Sequence, residues 1–251
     1  LEVKLYSIAV SHPARTAGLM LRHKGIDFEL VDIPPGSQRP LMRLHGFSAG
    51  TVPALKIDGR KVQGSLEISR ALEELQPEPH LFPNDPQLRA AVEEAERWGE
   101  VVLQPPPRNF FRWAVARDAK LRRALAEAVG MPASPVAAAI TKPVGWYYSR
   151  IVSGSTDESI QAQLASLPAQ LDHVDALIAD GVIGGEQPNA ADFQIATSLR
   201  VMLNFPQLAP FIESRPAGEL AMRIAPDFGR TMPVQLPVEW LPIPVGAAVG
   251  S

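Results

Sequence analysis

Apolar and polar residues alternate over Val3–Ile8 and again over Phe28–Ile33, the period of half-buried strands. Between them Ala14, Ala17, Met20 and Leu21 recur at helical spacing, so a helix is expected from Ser11 to about Lys24. Ser11 suits the N-cap, Pro13 the first turn and Gly25 the C′ position. Pro34-Pro35-Gly36 ends the second strand, and a short helix is expected over Gln38–His45. The run Ala49–Leu72 follows. It holds an apolar strand at Ala54–Ile57, a turn at Asp58-Gly59, a returning strand at Lys61–Gln63 and a helix opening at Gly64-Ser65. The order over residues 1–76 is β-α-β-α-β-β-α, an α/β unit.

The pattern then changes. Gln76-Pro77-Glu78-Pro79 opens a linker, placed at 77–86, and residues 87–232 read as all-helical. Asp85 and Pro86 suit a helix start, with Leu88, Ala91, Ala95, Trp98 and Val102 on one face. Pro105-Pro106-Pro107 is expected to stop or kink that helix, and further helices are expected near Arg108–Arg117, Lys120–Val129 and Pro135–Tyr148. Asp157–Ala179 reads as a long amphipathic helix that Pro168 should kink or split. Asn189 and Asp192 form a capping-box pair for a helix reaching about Leu203. Residues 233–251 are Pro-rich and apolar; they are expected to form an extended strap with no helix, or a tail that binds a partner.

Composition narrows the function classes. The 251 residues suffice for two domains, and a net charge of -3 without a basic stripe argues against nucleic acid as a partner. The chain has no cysteine, which excludes disulfides, thiolate metal sites and a cysteine nucleophile, and fits a reducing, cytoplasmic setting. The spacing of His23, His45, His80 and His173 is not that of metal ligands. The N-terminal residues lack the pattern of a signal peptide, and no apolar run reaches the length of a membrane span.

Val52-Pro53 ahead of a hairpin, followed by Gly64-Ser65 at a helix start, resembles the glutathione-binding half of the glutathione transferase family. The likeness is strongest over Val3–Leu75 and Gly184–Asp192. It implies a thioredoxin-like N-terminal domain followed by a helical C-terminal domain, assembled as a homodimer that takes glutathione as co-substrate and uses no metal. It also implies that Val52–Pro53 is cis and offers its backbone to the cysteinyl part of glutathione, while Ser65 holds the γ-glutamyl carboxylate. Gly64 stands where the family carries an acidic or amide residue, so one side-chain contact is missing; Gln63 lies one place early. Ser11 falls where Ser- and Cys-type members carry their catalytic residue, and is otherwise a plain N-cap. His12 contacts the thiol or the glycyl carboxylate, or lies on the surface. Tyr6 lies one place too early for a Tyr-type activator and reads as a packed or exposed strand residue. Phe110, Phe111 and Trp113, with Trp98, either line an apolar electrophile pocket or belong to the core. Arg108, Arg112 and Arg117 either face solvent or receive an anionic substrate.

The chemistry asked of Ser11 is modest. A free thiol has a pKa of about 8.5. A hydrogen bond to the charged form is worth roughly 1.5–3 kcal/mol and a helix N-terminus about 0.3–1 kcal/mol, enough to populate a thiolate at neutral pH. The resemblance therefore implies an enzyme that attacks a small apolar electrophile with thiolate, as in detoxification. A non-catalytic scaffold of the same fold is the competitor, motivated by Gly64 and the unusual Ser-His-Pro run at 11–13. A glutathione-dependent isomerase or lyase is the third reading.

Overall fold

In a computed structural model of the protein, residues 1–9, 11–34, 36–128, 134–227 and 234–242 are described. The N-terminal part is a four-stranded sheet in the order β2-β1-β3-β4, with β1 Val3–Ser7, β2 Glu29–Asp32, β3 Ala54–Ile57 and β4 Arg60–Gln63. β1 runs parallel to β2 and antiparallel to β3, which pairs antiparallel with β4. Three helices accompany it: α1 His12–His23, α2 Gln38–Leu44 and α3 Ser65–Leu75. This is the thioredoxin-like order expected from the pattern. Pro35 and Val129, which the sequence places in a turn and a helix end, lie outside the described residues.

The two faces of β1 divide the core. Val3 and Leu5 enter the large cluster with Met20, Leu21, Ile68 and Leu72 of α1 and α3. Tyr6 lies on the other face, in a small cluster with Ile8, Ile33, Met42, Phe47 and Ala54. Its ring is 5.1 Å from Phe47 and 4.8 Å from the His45 imidazole, so of the packed and exposed strand readings the packed one holds.

The remainder is helical. α4 (Pro86–Trp98) is capped by Asp85, whose side chain accepts from the Leu88 N–H at 2.8 Å. The expected stop at the three prolines takes a particular form. α4 widens into a π turn over Gly99–Leu103, and Pro105 then opens α5, Pro105–Arg117. All three prolines fall in the first turn of α5, where N–H groups have no helical acceptor. α6 spans Ala119–Ala128. The single helix expected over Pro135–Tyr148 is instead α7 (Pro135–Ile140), α8 (Lys142–Tyr147) and a π turn at Tyr148–Val152.

α9 runs from Asp157 to Ala179 without a split at Pro168. Ile160, Leu164, Leu167, Leu171 and Val174 are all buried along it, and that packing outweighs one missing backbone bond. α10 (Ala190–Met202) carries the anticipated capping box in both directions. α11 (Ala209–Ile212) and α12 (Pro216–Ile224) complete the body. The described part of the tail, 234–242, buries Val234 and Leu236 in the core. Contrary to the expectation of no helix, it forms one 3-10 turn at Val238–Trp240, with Trp240 5.4 Å from Trp113. The rest of the expected strap, 243–251, lies outside the described residues.

Two contacts tie the helical part to the sheet part, and a third secures the end of α1. α1 packs on α10, where Thr16 Oγ1 and Thr197 Oγ1 lie 2.6 Å apart. The Ser69 hydroxyl of α3 donates to Glu96 Oε1 of α4 at 2.6 Å, and Arg70 donates to the other oxygen of that carboxylate. The fully buried Lys24 ammonium donates to Glu73 Oε2 at 2.5 Å and to the carbonyls of Gln76 and Pro77 at 2.7 and 3.0 Å, which fastens the end of α1 to the linker.

Candidate functional site at one end of the sheet

Strand register sets the geometry. Tyr6 pairs with Ala54, and Ala54 with Gln63. The C-terminal end of β1, the N-terminal end of β3 and the C-terminal end of β4 therefore lie at the same end of the sheet. Ser11 follows the first, Val52–Pro53 precedes the second and Gly64-Ser65 follows the third. Residues distant in sequence are gathered by pairing alone.

Ser11 is half-buried and caps α1; its Oγ accepts from the Ala14 N–H at 3.3 Å. Among the described residues that hydroxyl donates to nothing, so its proton is free for a ligand. The N-cap role and a ligand role are compatible, as the sequence suggested.

The Val52–Pro53 bond is cis, as expected from the resemblance; Glu78–Pro79 is also cis, which nothing in the sequence indicated. The Val52 N–H and C=O make no hydrogen bond among the described residues. The loop before it is held by Gln63. Its amide accepts from the Ala49 N–H at 3.1 Å and donates to the carbonyls of Ala49 and Thr51 at 2.8 and 2.7 Å. Gln63 thus positions the loop and does not reach toward the start of α3 in place of the missing family side chain. Its position at the end of a strand, opposite a Gly-Thr loop, was the available signal, and the sequence reading missed it.

Gly64 is the N-cap residue of α3 at φ 100° and ψ 148°, and its N–H donates to the Pro53 carbonyl at 3.0 Å. A Cβ there would meet nothing within 4 Å, so the space for the family's side chain is open. Ser65 is the first residue inside α3 and 2% exposed. The alternative reading of Ser65 as the helix cap is corrected: the cap position belongs to Gly64, and the Ser65 hydroxyl makes no hydrogen bond among the described residues. An unengaged hydroxyl at the positive end of a helix is suited to a carboxylate.

His12 is not a surface residue. It is 4% exposed, bonded to the backbone of Gln104, and its Nε2 has no partner among the described residues. Burial first, then Arg108 and Arg112, hold its pKa down to about 3, so the ring is neutral across the physiological range.

The expected electrophile pocket is revised. Phe110 is fully buried and packs edge-on against Phe205 at 6.0 Å. Trp113 is 6% exposed, with its Nε1 donating to Asp157 Oδ1 at 2.8 Å and Arg117 over its ring. Trp98 lies 4.4 Å from His173. Phe110 and Trp113 are core, as their helical spacing allowed, whereas Phe111 and Trp98 are half-buried. Of the three arginines, Arg117 is bonded to Asp157, whereas Arg108 and Arg112 are near enough to His12 for their charge to lower its pKa. A separate cleft of about 250 Å³ is lined by Arg117, Lys142, Trp146, Arg150 and Ser155 among others; it contains none of Ser11, Val52, Pro53 or Ser65.

Among the described residues no group of three or more His, Asp or Glu is arranged to hold a metal ion, and no helix is long and apolar enough to cross a membrane.

Comparison with known proteins agrees with the architecture. Residues 5–80 match the glutathione S-transferase N-terminal domain family. Maleylacetoacetate isomerase from Mus musculus is 41% identical over 92 residues, which are 35% of this chain and 43% of that protein, so the match spans less than half the relative's length. Among solved structures, a glutathione S-transferase from Rhodospirillum rubrum F11 is 21% identical, covering 95% of this chain and 97% of that chain with a TM-score of 0.62. A glutathione S-transferase from Methylobacterium radiotolerans, in complex with glutathione sulfonate, is 19% identical over 94% and 97% of the two chains, with a TM-score of 0.59. The beta-etherase LigF from Sphingobium is 20% identical over 89% and 99%, with a TM-score of 0.61.

Proposed function

From an N-terminal domain that belongs to the glutathione S-transferase family over residues 5–80, we propose that this chain is an enzyme that holds glutathione at the end of the sheet and uses its sulfur as a thiolate. Ser11 donates its free proton to the sulfur and stabilises the thiolate at the start of α1. The Val52 backbone receives the cysteinyl amide and carbonyl. Ser65 and the first N–H groups of α3 receive the γ-glutamyl carboxylate. Supporting this reading above all is the coincidence, at one sheet end, of two serine hydroxyls that donate to nothing among the described residues and a backbone pair that bonds nothing among them.

Ser11 needs no base of its own. The thiol proton passes to solvent, the sulfur forms the new bond to carbon, and in a transfer reaction the leaving group departs with its electron pair. A second reading, a glutathione-dependent isomerase, is favoured by the N-terminal likeness to maleylacetoacetate isomerase. In that case the sulfur adds to the substrate and is later expelled, so glutathione is not consumed.

Replacing Ser11 with Ala should lower kcat/KM with glutathione and a panel of aromatic halides and epoxides by about tenfold or more, and raise the pKa seen in the pH–rate profile. Unchanged turnover would remove Ser11 from the mechanism. Counting glutathione consumed per product separates transfer from isomerisation.

A further inference from the structure

One face of α5 and the turn before it carries hydrogen-bond donors that mostly lack acceptors among the described residues. Gln104, Arg108 and Arg112 follow one another at intervals of four residues, so they form a stripe along the helix. Gln104 is 6% exposed and its Nε2 is unpartnered. Arg108 makes no hydrogen bond among the described residues, and its Nε is buried. Arg112 makes one, from Nη1 to Ser153 Oγ at 2.6 Å, and no carboxylate is bonded to either guanidinium. Glu100 is the acid that acts on Arg108, without bonding it. Facing the stripe is His12, next to Ser11, buried and with its own Nε2 unpartnered.

Such a group is costly as it stands. Buried polar atoms are nearly always hydrogen-bonded, and a guanidinium removed from water without a partner is penalised further. Two cations one turn apart also repel each other, and each opposes protonation of the adjacent histidine. A ligand that brings negative charge removes all of these penalties together. An apolar electrophile removes none. The aromatic residues of α5 that would have welcomed one, Phe110 and Trp113, are turned into the core on its other face.

We propose that Gln104, Arg108 and Arg112 form the receptor for an oxyanion, a carboxylate or its equivalent, carried by the electrophile and held beside the Ser11 junction. This rests on the thiol-site reading above and names the substrate class for it. A planar carboxylate suits the guanidinium fork, with the Gln104 amide as a further donor. The same chemistry could come from glutathione's glycyl carboxylate, so the experiment must tell the two sources apart.

Calorimetry without thiol, with 4-chloro-3-nitrobenzoate and its neutral counterpart 4-chloro-3-nitrobenzamide, provides the test. The benzoate should bind at least about tenfold tighter than the benzamide. Arg108→Ala and Arg112→Ala should each lower the benzoate-to-benzamide affinity ratio by about tenfold, and Arg108→Lys should recover part of it. Arg150→Ala, in the separate cleft, should leave the ratio unchanged. Because Arg108 makes no hydrogen bond, its removal should not impair folding; circular dichroism checks this. Histidine NMR gives an independent reading: bound benzoate should raise the His12 pKa, and bound benzamide should not.

Equal affinity for the two probes, or a ratio indifferent to Arg108 and Arg112 but sensitive to Arg150, overturns the proposal. So does a loss of S-methylglutathione binding in the arginine variants with the benzoate ratio intact, which would assign the stripe to the tripeptide. Arginine-dependent benzoate binding without any Ser11-dependent turnover would instead support the receptor and discard the transferase reading.

Discussion

Gly64 shows how much a single residue decides here. Its φ of 100° and ψ of 148° lie in a region open almost exclusively to glycine. No neighbour would obstruct a Cβ, so a substitution meets backbone strain alone. Gly64→Ala should lower unfolding stability by about 1–3 kcal/mol in urea titrations; an unchanged midpoint would mean that this junction relaxes freely. His12 carries a second residue-scale consequence. Its folded pKa, about 3, lies below the unfolded value near 6.5, so the unfolded chain binds more protons between those limits. His12 therefore contributes stability above about pH 6.5 that is lost as pH falls toward 3. Ser11, Gly25 and Asp85 were legible as caps because capping depends on a side chain and the few N–H or C=O groups beside it. The burial of His12 was not legible, because it comes with neighbours such as Gln104, ninety-two positions away along the chain.

At the scale of elements, local signals predicted the helix starts and tertiary packing decided their continuity. Asn189 Oδ1 accepts from the N–H groups of Ala191 and Asp192 at 3.0 and 3.2 Å, while the Asp192 carboxylate accepts from Asn189 and Gly184 at 2.9 and 2.7 Å. Asn189→Ala should cost about 0.5–2 kcal/mol of stability by chemical denaturation, with glutathione binding retained. The α3–α4 contact makes a different demand. Burial raises the Glu96 carboxyl to about 7, although Ser69 and Arg70 favour its charge. Here the folded chain binds the extra proton, so stability falls as pH rises from about 4.5 to 7, opposite in sign to His12. Glu96→Gln should cancel that fall. Relative to the parent, the variant should gain up to about 3 kcal/mol between pH 5 and 7.5, and a stability difference that stays constant with pH would contradict the assignment.

For the molecule as a whole, the cross-contacts Thr16–Thr197 and Ser69–Glu96 join the sheet and helical parts. Val101 is 65% exposed on the π turn that follows α4. The family likeness leads us to expect a homodimer, and sedimentation equilibrium at micromolar protein should return twice the chain mass; a monomer mass would overturn that expectation.

The sequence by itself determined the strands, most helix starts, the caps at Ser11, Asp85 and Asn189, and the place of Ser65 at a helix start. Each of these depends on periodicity or on bonds between near neighbours. The tertiary structure alone decided which charges are buried. Lys24, Glu96, Arg108 and Arg112 read along the chain like any solvated surface residue; packing between distant helices buries the first two and half-buries the two arginines. The same holds for the gathering of Ser11, Val52 and Ser65, which strand register brings about across more than fifty residues of chain.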